Sequence, residues 1–216
     1  MTDARLRALV FDAICFISFA ALIVMSIKSY YFTDRLKYQL YTGIFSGLIC
    51  LLPLFLRRFN LVYLPFPLLI LVELSIFLHG YGVLLMQYDN IVWYDSITHT
   101  LSSITVGMCV FYALLGIDSA DSKVHFGKNG ILLYIMLIML TFSIYWEVFE
   151  LFVDLLTGTN MQYSPFDTMR DMISNTVGGF VASMYGRYFL GKNPDYDLME
   201  EFGLHPAIRK ILANHH

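Results

Sequence analysis

The chain has 216 residues, of which 57% are hydrophobic and only 14% are charged. A soluble domain carries about 25% charged residues, so the scarcity of charge indicates that lipid replaces water as the surrounding solvent. The net charge of −3 and the lack of an arginine-rich arm exclude the composition typical of nucleic-acid-binding proteins. Membrane lipid is therefore the partner that the composition predicts.

Six apolar segments approach the length of about 20 residues that a helix needs to cross the bilayer core. In chain order they are roughly Val10–Ile27, Tyr38–Leu56, Leu61–Leu78, Ser96–Gly116, Gly130–Leu156 and Asp167–Leu190. Two glycines, Gly80 and Gly82, follow the third segment, and we expect a loop or a partly re-entrant stretch over Tyr81–Trp93. The sequence thus predicts an all-α fold, a polytopic transmembrane helical bundle of about six spans.

The distribution of lysine and arginine predicts how these spans are oriented. With six spans, the side of the membrane that holds both termini carries ten of the basic residues, and the opposite side carries four. Because basic loops stay inside, both termini are predicted to be cytoplasmic, in the inner (cytoplasmic) cell membrane. Residues 1–191 would form the transmembrane domain, and residues 192–216 a polar cytoplasmic tail.

Ionisable residues and one asparagine interrupt the last four predicted spans. In this topology they lie at a common depth, in the outer leaflet. They are Glu73 and His79 in the third span, Asp95 and His99 in the fourth, Glu147, Glu150 and Asp154 in the fifth, and Asp167, Asp171 and Asn175 in the sixth. Within each of the last three spans the spacing is three or four residues, which places the polar side chains on one helical face. A charge facing lipid costs about 2.5–3.5 kcal/mol, so we expect these faces to point into the bundle or a wet cavity.

Seven of these residues are carboxylates, and Arg170 is the one nearby cation in the same segments. Buried carboxylates without a counter-charge take up protons or bind cations. A mixed set of histidine and carboxylate ligands suits Zn, Mn or Fe better than Mg. The predicted ligands of a divalent metal ion are His79, Asp95, His99, Glu147 and Asp171, with Glu150 or Asp167 as the base that activates a water molecule.

Each motif taken alone has a simpler explanation. Asp95 could be a first-turn acid that the helix dipole favours, and Asp167 could serve only to cap a helix. The acids of the fifth span could form a hydrated interfacial face, and Glu73 could be a protonated core acid. The agreement of four spans in depth and facing is the reason for the hypothesis of a shared site.

Three strings carry a family resemblance: Leu78-His79-Gly80-Tyr81-Gly82, Trp93-Tyr94-Asp95 with His99, and Trp146-Glu147 with Glu150 followed by residues 167–172 and Asn175. Their order, over roughly residues 73–179, resembles the YjdF-like family of small polytopic inner-membrane proteins, whose function is uncharacterised. The resemblance implies a polytopic membrane fold, and it implies a site because seven residues match the polar motif positions of that family. They are His79, Asp95, His99, Glu147, Glu150, Asp167 and Asp171. It implies no particular reaction.

Two classes of function remain open on this evidence, with a third as a weaker alternative. The first is a metal-dependent hydrolase or transferase that acts on a lipid or a lipid-linked substrate. The absence of a P-loop or an arginine clamp weakens the case for a phosphate-containing substrate in particular. The second is a carrier of protons or metal cations, which would need polar groups reaching both sides. Towards the cytoplasm the last four predicted spans offer little beyond apolar residues, and Asp12 in the first span is a lone candidate. The third is an accessory subunit with a structural ion.

Overall fold

The computed structural model describes residues 3–32, 37–120, 123–193 and 202, and every regular element within them is an α-helix. The helices are α1 (Asp3–Phe32), α2 (Lys37–Cys50), α3 (Leu52–Arg58), α4 (Phe66–Leu84), α5 (Gln87–Asn90), α6 (Tyr94–Ala120), α7 (Lys128–Thr157) and α8 (Pro165–Lys192). The all-α prediction is confirmed. Most of the predicted tail lies outside the described residues.

Five stretches of helix are long and apolar enough to cross a membrane: Arg5–Tyr31, Gln39–Arg58, Phe66–Leu84, Tyr94–Ser119 and Lys128–Thr157. The sixth predicted span also forms one continuous helix, α8, of 28 residues. Its first half carries Asp167, Arg170 and Asp171, which makes it less apolar than the other five. The polytopic bundle is therefore confirmed, whereas the count of six spans and the cytoplasmic termini stay predictions.

The structure corrects the prediction around Gly80 and Gly82, because α4 continues through both glycines and ends only at Leu84. A Cβ on Gly80 would lie 2.9 Å from a methyl group of Leu22, and one on Gly82 would lie 2.5 Å from the rings of Tyr88 and Tyr94. These glycines therefore permit close packing rather than ending the helix. The expected loop is shorter and includes the single turn of α5.

The chain divides into two compact units. Unit 1 comprises described residues 3–32, 37–94 and 202, and unit 2 comprises residues 95–120 and 123–193. The predicted domain boundary at residue 191 stays a prediction.

In unit 1, helices α1, α2 and α4 pack against one another. Their contacts bury two small apolar clusters, one around Phe11, Cys15 and Leu69 and the other around Leu22, Cys50 and Leu84. The second predicted span divides into α2 and α3 because Pro53, near the start of α3, lacks the N–H that a continuous helix needs. At that end Asp12 forms ion pairs with Arg57 and Arg58.

In unit 2, helix α8 packs against α6 and α7 through small residues. A Cβ on Gly178 would overlap the backbone oxygen of Thr100 in α6, and one on Gly179 would lie 2.8 Å from Met139 in α7. Gly107 and Ala182 meet in the same way further along α6 and α8. Close backbone approach of this kind is how helices associate in membranes, where lipid supplies no hydrophobic driving force.

The connection between α7 and α8 is held by side chains on both sides of it. The Asp154 carboxylate accepts hydrogen bonds from Thr159 Oγ1 and from the backbone N–H groups of Met161 and Gln162, at 2.8, 2.8 and 3.0 Å. Ser164 caps α8 by accepting from the backbone N–H of Asp167 at 3.2 Å. These bonds bring the end of α7 and the start of α8 together, and that is where most of the predicted site residues lie.

A candidate metal centre

One end of unit 2 collects its buried acids. Asp95 lies in the first turn of α6 and Asp167 in the first turn of α8, and α7 contributes Glu147 and Glu150 near its C-terminal end. Within the described part of unit 2, the buried carboxylates are Asp95, Glu147, Glu150, Asp167 and Asp171, each at most 8% exposed. They belong to three helices, so the fold brings together most of the predicted site.

Three of these groups form a compact Asp–His–Asp triad of Asp95, His99 and Asp171. One ligand atom from each residue can be chosen so that all three lie within 4.8 Å of one another. His99 Nε2 is 3.3 Å from Asp95 Oδ1 and 4.0 Å from Asp171 Oδ1. Ligand atoms around a metal with bonds of about 2.1 Å lie roughly 3–4 Å apart, so the residues fit a divalent ion with little movement.

The other nitrogen of His99 is held by an amide from α8. His99 Nδ1 is 3.2 Å from Asn175 Oδ1, which also accepts from Ser103 Oγ at 2.8 Å, while Asn175 Nδ2 donates to Ser143 Oγ at 3.1 Å. With the Asn175 amide oxygen as its neighbour, Nδ1 is the nitrogen that donates the hydrogen of this bond. Nε2 then faces two carboxylates and needs either a proton or a metal ion between it and them.

Arg170 provides the positive charge at this end of unit 2. Its Nη2 forms a close ion pair with Asp167 Oδ1 and lies 3.5 Å from Asp95 Oδ2, and its Nε is 4.0 Å from Asp171 Oδ1. Asp167 also accepts from the backbone N–H of Tyr163 at 3.2 Å. Asp167 is thus engaged in capping and charge pairing, and Asp171 is left with only distant cations.

Glu147 and Glu150, on α7, are close enough to His99 and Asp95 to interact with them electrostatically. Glu150 Oε1 accepts from Trp146 Nε1 at 2.8 Å. Glu147 Oε2 is 3.4 Å from Gln162 Nε2, but Glu147 Oε1 is buried with no hydrogen-bond partner among the described residues. Asp171 Oδ1 is likewise buried and has no hydrogen-bond partner among the described residues.

The remaining predicted residues belong to unit 1. His79 Nδ1 shares a hydrogen bond of 3.0 Å with the hydroxyl group of Tyr88, and its role as a ligand stays a prediction. Glu73 is 3% exposed and has Ser18, Cys15 and Cys50 as polar neighbours. Neither of its carboxylate oxygens has a hydrogen bond of ordinary geometry within the described part of the chain.

Sequence reasoning missed the supporting residues Ser103, Ser143 and Gln162. Small residues such as these two serines usually serve helix packing, but their spacing carries a signal. Ser103 follows His99 by four residues and Ser143 precedes Glu147 by four, which places each hydroxyl on the polar face of its helix. Gln162 lies in the connection before α8, where no periodicity points to its bond with the Glu147 backbone oxygen, 2.8 Å away.

The fold defines the class of protein. Long apolar helices with exposed side chains such as Phe16, Ile17, Tyr145 and Phe152 are typical of chains surrounded by lipid, and this chain is an integral membrane protein. Residues 11–192 match the model of a family described as a predicted membrane protein, DUF2238, and the chain belongs to that family. The match confirms the resemblance to small membrane proteins of uncharacterised function. No curated protein and no solved structure matches the chain.

Proposed function

We propose that the Asp–His–Asp triad binds a divalent metal ion and that the protein is a metal-dependent hydrolase or transferase acting on a lipid or lipid-linked substrate. One observation carries the proposal: Nε2 of His99, with Nδ1 already bonded to Asn175, faces the carboxylates of Asp95 and Asp171. A histidine fixed through its second nitrogen and flanked by carboxylates is the arrangement in which proteins hold Zn, Mn or Fe.

The chemistry follows from the groups around the triad. A divalent ion makes a bound water more acidic and polarises a carbonyl or phosphoryl oxygen. A base must then accept the proton of that water, and Glu150 and Glu147 are buried carboxylates of α7 at the same end of unit 2 as the triad. Asp167, the other predicted base, is paired with Arg170 and bonded to the Tyr163 backbone, so we assign it to positioning Arg170.

The position of the acids favours an enzyme over a carrier. Every buried carboxylate in the described part of unit 2 lies at one end of its three helices. Further along, the contacts of α6, α7 and α8 involve Gly107, Ala182, Gly186 and Phe111, which supply no charged group for a cation to follow. A site at the ends of membrane helices suits the headgroup of a lipid whose chains stay in the bilayer.

The test is the metal content of the purified full-length protein in detergent after incubation with Mn²⁺ or Zn²⁺ and removal of free ion. We expect the wild type to retain metal, and His99→Ala or Asp171→Asn to lose it while their helical circular dichroism is unchanged. The matched control is Asp118→Asn, because Asp118 forms the other Asp–His pair of unit 2, with exposed His125 at 3.3 Å.

Retention of metal by His99→Ala at the wild-type level would contradict the assignment of the ligands. A wild type without bound metal would remove the enzyme mechanism altogether. Proton or metal flux through proteoliposomes that depends on Glu147 would instead identify the protein as a carrier.

A further inference from the structure

Glu73 lies near the middle of α4, on the face by which this helix packs against α1 and α2. One turn before it, Leu69 belongs to an apolar cluster with Cys15 of α1. One turn after it, Phe77 packs against the apolar cluster that contains Cys50 of α2. Since residues four apart share a helical face, Glu73 lies between these two clusters, where α1, α2 and α4 meet.

The carboxyl group of Glu73 is buried without a hydrogen bond of ordinary geometry. The residue is 3% exposed, and neither Oε1 nor Oε2 has a partner among the described residues. Its polar neighbours are the hydroxyl group of Ser18 and the thiols of Cys15 and Cys50. Thiols are weaker acids than a carboxyl group, so none of these neighbours supplies a positive charge. Because α4 is apolar enough to cross a membrane, bulk water does not solvate its middle, and an ionised carboxylate there is costly.

The basic side chains of unit 1 do not balance Glu73. Among those that the structure describes, Arg57 and Arg58 are paired with Asp12. The others are exposed, and they are Arg5, Arg7 and Lys28. Glu73 therefore has no arginine or lysine partner within the described part of unit 1.

The remaining titratable groups near α4 are engaged elsewhere. His79, on α4 itself, shares its hydrogen bond of 3.0 Å with Tyr88 of α5, and Asp89 of α5 is exposed. The group of metal-ligating side chains found within the described residues lies in unit 2 and does not include Glu73. A buried carboxylate without a counter-charge takes up a proton, and here a proton is the cation that the surroundings accommodate.

We propose that Glu73 is a proton-binding site within the membrane, and that the bound proton keeps α1, α2 and α4 packed. Release of the proton leaves a negative charge between two apolar clusters, which favours separation of the three helices. This inference goes beyond the proposed function, because it gives unit 1 a ligand of its own, whereas the metal ion is proposed for unit 2.

The first experiment treats the purified full-length protein in detergent at neutral pH with dicyclohexylcarbodiimide, a hydrophobic reagent for protonated carboxyl groups. The acid adds across a C=N bond of the reagent, and the product rearranges to a stable N-acylurea that mass spectrometry can locate. We expect an adduct at Glu73, with less of it as the pH is raised. Asp12 is the internal control, because its ion pairs keep it ionised and it should carry no adduct.

Infrared spectroscopy of the untreated protein provides a second measurement of the proton. The C=O band of a protonated carboxyl group should be weaker in Glu73→Gln than in the wild type, and it should be unchanged in Asp12→Asn. A wild type without an adduct at Glu73, and with the same C=O band as Glu73→Gln, would overturn the proton site. The adduct on the wild type decides this even if Glu73→Gln fails to fold.

Thermal unfolding in detergent tests the effect of the proton on packing. As the pH rises, the wild type should lose stability that Glu73→Gln retains, because a folded state that holds a proton is disfavoured by its removal and glutamine has no proton to release. An equal loss of stability with pH in the wild type and in Glu73→Gln would overturn the role of the proton in holding the helices together.

Discussion

Units 1 and 2 are built from the same kind of apolar helix, but they differ in the number of buried carboxylates and in the positive charges that balance them. In unit 1, Asp12 is paired with Arg57 and Arg58, and Glu73 is the one buried acid of its described residues. The described part of unit 2 buries five carboxylates near Arg170. Such an excess is costly in a membrane protein unless a ligand balances it, and this contrast is the reason for placing the proposed site in unit 2.

The two units also differ in what surrounds their closely packed glycines. The nearest atoms to a Cβ on Gly43 of unit 1 would be the ends of two side chains, those of Ser26 and Leu84, rather than backbone. A Cβ on Gly178 of unit 2 would meet the backbone of Thr100 and Ile104, which cannot move without separating α6 from α8. Since α6 carries Asp95 and His99 and α8 carries Asp171, the spacing of these two helices sets the geometry of the triad.

The largest effect is therefore expected for Gly178→Ala. Forcing α6 and α8 apart should destabilise unit 2 by about 3 kcal/mol, the upper end for overpacking, and abolish metal binding. Thermal unfolding in detergent and metal content measure the two effects. Gly130→Ala is the control, because nothing lies within 4 Å of a Cβ at Gly130, whereas Gly43→Ala should lower stability only slightly and keep the metal. Equal losses of stability and of bound metal in Gly43→Ala and Gly178→Ala would show that the two units do not differ in this way.

An intermediate effect is expected for Asn175→Ala. The variant removes the amide that holds His99 Nδ1 and should weaken metal affinity by about 10–100-fold without removing a ligand. Titration with Mn²⁺ measures this, with Asn193→Ala as the control at the exposed end of α8. Asn175→Asp, which keeps an acceptor for Nδ1, should restore most of the affinity. If Asn175→Asp and Asn175→Ala bound equally poorly, orientation of His99 would not be the reason for the loss.

The smallest effect on the metal is expected for Glu73→Gln. This change keeps the shape of the side chain and alters the buried acid of unit 1, so Mn²⁺ affinity should change by less than about tenfold, equivalent to about 1.4 kcal/mol. The same titration checks it. Loss of the metal in Glu73→Gln would show that the excess charge of unit 2 is not what determines binding.

Local chemistry explains why much of the fold could be predicted. Runs of apolar residues long enough to cross a bilayer are recognisable from composition, and α1, α4, α6, α7 and α8 all contain their predicted segments in large part. The error at Gly80 and Gly82 arose because glycine is read as a helix breaker, while its small size here serves contacts with residues distant in sequence. The helix propensity of a residue does not reveal which residues of other helices it contacts.

The candidate site could be predicted only in part for a similar reason. Spacing of three or four residues placed Asp95 with His99, and it placed Glu147 with Glu150, because a helix repeats every 3.6 residues. No spacing tells which acid of α8 faces His99. The structure brings Asp171 to the triad and engages Asp167 with Arg170 and the Tyr163 backbone.

The sequence by itself determined that this chain is a helical bundle embedded in a membrane, and that its last helices carry polar faces. Those properties depend on composition and on periodicity along one helix. The tertiary structure alone decided which faces meet and that Asn175 fixes His99. It also decided that Asp171 and Glu147 each have an oxygen with no partner among the described residues. Contacts between helices depend on how closely their backbones approach, and in unit 2 Gly178 and Gly179 set that distance.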